Sequence, residues 1–227
     1  PSFVPIVPLG GRHVTHFWRL LSDLQIPFAT LLDFDVGRAH GGANMIRSIV
    51  EKLKGIGVDL RTTTPAVLGE IDLDELENLE DNDLWVPPDD NYWIKALEEV
   101  AVFLADPLDL DFSMLEAFPA AYQHPNPGGT GPGNSPRALA NAKRATLKKN
   151  GDSTLYGDDY DDEFRWYPYL FLNRSKPETH ISALTRIHDD DLANNAPPPL
   201  RALIEHVKEK LGLSGDNNGE DDGNDSQ

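Results

Sequence analysis

Two aspartate pairs in this chain have the type and spacing to seat a hard cation: Asp33 and Asp35 in "TLLDFDVGRAHGG", and Asp109 and Asp111 in "PLDLDFSMLEAFP". Mg²⁺ takes carboxylate oxygens while keeping several waters, and such pairs supply those oxygens. Gly37, Gly41 and Gly42 follow the first pair at once, so the backbone can bend there. Lys176, in "NRSKPETHISAL", is a cation that could hold a phosphate or a developing oxyanion if it reaches the same edge. Each signal also has a plain reading. A D-x-D can be a solvated strand end, Asp109 and Asp111 lie in acid-rich sequence, and an isolated lysine is usually a surface lysine.

The elements that must position these groups follow from hydropathy. "SFVPIVPL" (2–9) reads as a short strand ended by Gly10 and Gly11. Val14, Phe17, Trp18, Leu21 and Leu24 recur at helical spacing. "PFATLLDFD" (27–35) is the apolar run of a strand buried on both faces. Ile46, Ile49, Val50 and Leu53 predict a second helix closed near Gly55 or Gly57. This β-α-β-α order predicts an α/β fold, a parallel sheet flanked by helices, and ligands gather at the carboxyl ends of strands in such sheets. Asp33 and Asp35 stand at one such end.

Further along, Trp93, Leu97, Val100 and Leu104 predict a helix over 91–105, capped by Asp89 or Asp90. Residues 124–136 are a Gly/Pro connector, 137–150 a basic helix, and 152–164 an acidic loop. "RWYPYLFLNRSK" (165–176) reads as a buried strand delivering Lys176, with Pro177 starting the next helix. Leu200, Leu203, Ile204, Val207 and Leu211 mark a last one. The organisation expected is a core over 1–123, a connector and helical appendage over 124–151, the remainder of the core over 152–213, and an acidic disordered tail over 214–227.

Composition limits the function classes. The chain has 227 residues, no cysteine and a formal net charge of −18. Disulfides and thiolate metal sites are therefore excluded, and a reducing, cytoplasmic setting is expected. No apolar run approaches the roughly 20 residues that span a bilayer. The charges are segregated: 125–151 contains no acid and carries Arg137, Lys143, Arg144, Lys148 and Lys149, which are suited to phosphate contacts. The seven histidines form no ligand pair at helical or hairpin spacing, so no zinc site is expected. "GRAHGG" is either a plain turn or a backbone cradle for an anion.

Residues 4–53, from "VPIVPLGG" through "LLDFDVG" to "IVEKL", together with "DPLDLDFSMLEAFP" and "NRSKPETHISAL", resemble the Toprim domain of OLD-family (overcoming lysogenization defect) nucleases. The resemblance implies a Toprim-like sheet and a Mg²⁺- or Mn²⁺-dependent DNA endonuclease, with two ions about 4 Å apart. It makes Asp33 and Asp35 metal ligands, Asp109 and Asp111 the second acidic pair, and Lys176 the phosphate-facing base or charge stabiliser. It also implies DNA as partner and an ATPase domain preceding in the same polypeptide, with the isolated piece monomeric. The chain itself has no Walker-type phosphate loop.

One departure stands out. Toprim domains carry a glutamate after their first strand, and no acid occurs here before Asp23. The expectation is that the sequence starts beyond that strand. Two other readings stay open: a haloacid-dehalogenase-type phosphatase, whose D-x-D motif also follows an apolar strand, and a catalytically inactive Toprim interaction module.

Overall fold

The computed structural model describes residues 4–9, 14–63, 73–85, 91–125, 128–148 and 151–213. Helix α1 (Val14–Asp23) leads to strand β1 (Thr30–Asp33) and then to α2 (Gly42–Lys54). Short helices α3 (Leu60–Thr63), α4 (Leu73–Asn78) and α5 (Tyr92–Glu98) precede β2 (Val102–Ala105). Helices α6 (Leu110–Ala117), α7 (Pro119–Tyr122), α8 (Pro136–Leu147), α9 (Asp161–Tyr167), α10 (Lys176–Leu184), α11 (Asp189–Asn195) and α12 (Pro198–Lys210) complete the order. A π-helical turn, Pro168–Leu172, continues α9. The fold is mixed α/β and mostly helical, around a two-stranded parallel sheet in which Thr30 pairs with Val102 and Asp33 with Ala105. No helix among the described residues is long and apolar enough to cross a membrane.

The sheet is built from residues that can be buried on both faces. All four residues of β2 are buried, and α5 and α12 pack against it. Trp18 of α1 is buried and donates from its indole nitrogen to Thr30 Oγ1 at 2.9 Å, which ties α1 to the sheet while satisfying both polar groups. One apolar cluster surrounds Trp18, Ile46, Ile49, Leu97 and Leu104. A second joins Leu108 and Phe112 to Leu147, Phe164, Tyr167 and Phe171, so residues after β2 share a core with segments beyond the Gly/Pro connector.

Several expectations are corrected. Residues 4–9 form no strand, and Ile6 is 93 % exposed; Gly10 and Gly11 lie outside the described residues. The first apolar run yields a strand over 30–33 only. The helix expected over 91–105 stops at Glu98, turns through a left-handed Ala101 and gives β2 instead. A strand buried on both faces shows no alternation, so its apolar residues extended the helical pattern in the sequence. Asn91, not Asp89 or Asp90, caps α5 by accepting from the Ile94 amide at 3.1 Å; the two aspartates lie outside the described residues.

The strand expected over 165–176 is helical. Phe164, Tyr167, Leu170 and Phe171 are buried at steps of three and four residues, a helical period that the aromatic content had masked. The acidic segment 152–164 is likewise not all loop: it enters α9 at Asp161 and buries Tyr156 and Phe164. The basic helix does not project as an arm. It packs along α9 with Thr146 and Leu147 buried, and Lys143 pairs with Asp161 at 2.8 Å. Lys149 and the acidic tail 214–227 lie outside the described residues.

The turn after β1 is the tightest piece of backbone. Asp35, Gly37 and Gly42 all have positive φ. A Cβ on Gly41 would stand 1.8 Å from the Asp35 carbonyl oxygen, a backbone atom that cannot move aside. Gly41→Ala should therefore cost more than the roughly 3 kcal/mol of ordinary overpacking, seen as a large fall in Tm or loss of the cooperative transition by circular dichroism. Gly57→Ala is the contrast: its φ is positive, unlike that of Gly41, but nothing stands within 4 Å, so the cost should stay at about 1–2 kcal/mol. Equal Tm values for the two variants would refute this account of the turn.

Candidate functional site

The parallel register brings the two D-x-D segments to one end of the sheet. Asp33 is the last residue of β1 and stands beside Ala105, the last of β2. Beyond the strands the two chains stay hydrogen-bonded: Phe34 donates to Ala105 O at 3.3 Å, Asp35 to Leu108 O at 2.6 Å and Val36 to Pro107 O at 2.9 Å. Asp35 is thereby carried beside Asp109. Residues two apart on a regular strand share a face; Asp35 has left the strand in a left-handed conformation, yet its carboxylate still acts on that of Asp33.

Asp109 is buried at the N-cap of α6. Its Oδ1 accepts from the Phe112 amide at 3.0 Å, and its Oδ2 accepts from the Tyr167 hydroxyl at 2.5 Å and from Arg38 at 3.1 Å. Arg38 is the hub. Its Nη1 donates to both Asp35 Oδ1 and Asp109 Oδ2, its Nη2 to the Tyr167 hydroxyl at 3.3 Å, and its Nε to the Thr146 carbonyl at 3.1 Å. Burial alone would lower the pKa of this side chain, but Asp35 and Asp109 override that and keep it fully charged. Neither Arg38 nor Tyr167 was singled out from the sequence.

Asp111 is held by a second set. Lys176 and His180, one helical turn apart on α10, both reach it: Lys176 Nζ donates to Oδ2, and His180 Nε2 lies 2.8 Å from Oδ1. Burial works against the Asp111 charge, but the hydrogen bonds from His180 and Lys176 outweigh it and hold its pKa below the ordinary carboxylate value. An ionised carboxylate only accepts, so His180 carries its proton on Nε2. In the neutral ring, Nδ1 then accepts from the Tyr122 hydroxyl 2.7 Å away. Lys176 is partly desolvated, yet Asp111, Asp109 and Asp33 raise its pKa. It is a fixed positive charge and not a base near neutral pH. The helix start at Lys176, with Pro177 in its first turn and Ser175 as cap, sets its position; no strand delivers it.

Asp33 differs from the other three. Among the described residues it forms no ion pair. Partial desolvation, followed by repulsion from Asp109, Asp35 and Asp111, pushes its pKa up to about 6, with Lys176 opposing. Its outer side remains exposed, so the loss of solvation is partial, and the three neighbouring carboxylates add to it.

The donor chemistry is right for a hard cation, but this arrangement does not fit one. Among the described residues no group of three or more carboxylate or imidazole side chains stands at metal-holding spacing. Asp35 and Asp109 are engaged by Arg38, and Asp111 by Lys176 and His180. The "GRAHGG" segment is also occupied from within: Asp81 accepts from the Gly37 amide at 3.1 Å and from the Ala43 amide at 2.9 Å, filling the anion position ahead of α2. Of the basic helix, Arg137, Arg144 and Lys148 are exposed, while Lys143 is committed to Asp161.

No family model, curated protein or solved structure matches this chain.

The raised pKa of Asp33 has a definite sign in stability. Between its ordinary value of 3.8 and its folded value of about 6, the native state binds more protons than the unfolded state, so stability falls as pH rises through that window. Asp33→Asn removes the repelled charge. Its Tm should exceed that of the unmodified chain at pH 7 to 8, with the difference vanishing below about pH 4. A Tm difference constant from pH 4 to 8 would contradict the charge-crowding account.

Proposed function

We propose that this chain is the Toprim-like part of a metal-dependent DNA endonuclease, with Asp33, Asp35, Asp109 and Asp111 forming its acidic site and Lys176 its phosphate-facing charge. The observation that carries the reading is the meeting of both D-x-D segments at the carboxyl end of one parallel sheet, with Lys176 beside them. Charge balance supports it. Four carboxylates face two permanent cations, Arg38 and Lys176, so two positive charges are wanting, as many as one divalent ion carries. The order of motifs along the sequence, which resembles OLD-family nucleases, adds the substrate class and the upstream ATPase partner.

In this reading Lys176, being fixed in its charged form, draws the scissile phosphate and stabilises charge developing on it. Asp33 is exposed and, among the described residues, forms no ion pair that a ligand would have to displace. Arg137, Arg144 and Lys148 offer contacts to the DNA backbone, which need charge but carry no sequence information. The net charge of −18 would keep DNA away from the rest of the surface.

One observation favours a second reading, that of a non-catalytic interaction module. Arg38 already occupies two of the four carboxylates, as a structural ion-pair network would.

Plasmid nicking with Mg²⁺ or Mn²⁺, by the chain alone and joined to its natural upstream segment, separates the readings. The nuclease reading expects nicking that Asp33→Ala reduces by at least a hundredfold while the circular dichroism spectrum is unchanged. Absence of nicking in both forms, or unchanged nicking by Asp33→Ala, would leave the module reading.

A further inference from the structure

We infer that the cavity behind the two D-x-D segments is a binding site for a small organic cation, a protonated amine carried on an apolar body. The inference goes beyond the nuclease reading and does not depend on it. Phe34 and Val36, interleaved with Asp33 and Asp35, line this cavity together with Asp106 and Pro107, which precede Asp109. Its volume is about 510 Å³, within the roughly 300–1,000 Å³ of small-molecule sites.

Two features of the lining select the ligand. The first is uncompensated negative charge. Asp106, just after β2, and Glu116, on α6, both line the cavity, and among the described residues neither forms an ion pair. Partial desolvation, then repulsion from Glu163 and Asp106, pushes the pKa of Glu116 up to about 7, although its side chain still reaches solvent. Desolvation likewise raises that of Asp106. Arg201 lines the cavity too, but it donates to the Asn194 carbonyl at 3.1 Å and pairs with neither carboxylate. At the acidic site, by contrast, Arg38 and Lys176 supply the cations from within the chain.

The second feature is the wall. Trp85 and Tyr160 line the cavity with ring centroids 5.9 Å apart and planes inclined at 56°. A cation near an aromatic face is attracted by the ring quadrupole, the more so where water is excluded. Phe34, Val36, Leu84 and Ile94 add hydrocarbon for an apolar body. A strongly hydrated divalent ion gains nothing from such walls, and no group of three carboxylate or imidazole side chains among the described residues stands at metal-holding spacing. An anion would meet the two carboxylates. A neutral apolar molecule would desolvate them further and bring no countercharge. An amine on an apolar body meets both the charge and the wall.

The test is titration of the whole chain with phenethylamine and tryptamine, and with their neutral counterparts phenethyl alcohol and tryptophol, followed by calorimetry and by the tryptophan indole N–H resonances. At least one amine should bind about tenfold more tightly than its alcohol. Its binding should move the Trp85 resonance and leave that of Trp166, which packs on Tyr169, in place. Glu116→Gln, at an exposed position where folding is not at risk, should remove most of the preference for the amine, and Asp106→Asn should reduce it further. The net charge of −18 attracts any cation, so Glu51→Gln, an exposed acid on α2, serves as control and should leave binding unchanged. No binding of either amine at millimolar concentration, equal affinity for amine and alcohol, an unmoved Trp85 resonance, or equal losses in Glu116→Gln and Glu51→Gln would overturn the inference. Nicking, present or absent, alters none of these readouts, so this site and the nuclease reading stand or fall separately.

Discussion

Asp35 and Asp109 follow different strands of the sheet, and they can stand together in a desolvated setting only because the Arg38 guanidinium lies between them. Left bare, the buried Asp109 would carry a desolvation cost of several kcal/mol, and the partly exposed Asp35 beside it would repel it. Removing one partner of a buried pair typically costs about 3–5 kcal/mol, a large fraction of the stability of a domain this size. The same guanidinium reaches the Thr146 carbonyl on α8 and Tyr167 on α9, so it also joins the two apolar clusters. Hydrophobic burial makes each cluster, but it has no direction. The hydrogen bonds of Arg38 add direction where Trp85 and Leu155 already pack against both clusters.

That single hub explains why the backbone around it is so constrained. For Arg38 to reach back to Asp35, the chain must reverse within a few residues, and Arg38 donates its own amide to Asp35 O at 2.9 Å in doing so. The reversal needs a left-handed Asp35 and the absence of a side chain at Gly41. Asp81 then secures the turn from outside through the Gly37 and Ala43 amides, and a Cβ on Gly42 would collide with its carboxylate. The turn has the shape of a phosphate cradle, yet it is closed by an acid of this chain. An external anion would have to displace Asp81 to use it.

What could be read from the sequence follows from how local each cause is. The carboxyl end of β1 was legible because an apolar run, a D-x-D and a glycine turn are contiguous. Helices α1, α2 and α12 were legible because their apolar faces repeat every three or four residues. β2 was not, because Val102 to Ala105, buried on both sides, merge without a break into the apolar positions of α5. The segment at 165–172 misled for the opposite reason: Trp166, Tyr167, Tyr169 and Phe171 suggest a strand by type, while burial at 164, 167, 170 and 171 follows a helix by position. Arg38 and Tyr167 are 129 residues apart, and no local pattern announces a contact of that separation. Lys176 and His180 lie four residues apart, so their common face could have been recognised once Pro177 marked a helix start.

The site is asymmetric in a way that bears on any chemistry there. Asp109 spends one oxygen on capping α6 and the other on Tyr167 and Arg38, so it is the most committed of the four. Asp111 is held between Lys176 and His180, and His180 is itself braced by Tyr122 from α7. These two act as fixed points. Asp35 has one oxygen engaged by Arg38, and among the described residues Asp33 forms no ion pair, feeling only the more distant pull of Lys176. The carboxylates least engaged are therefore Asp33, which is exposed, and Asp35, whose side chain is partly exposed, so whatever approaches the sheet end meets these two before the fixed pair.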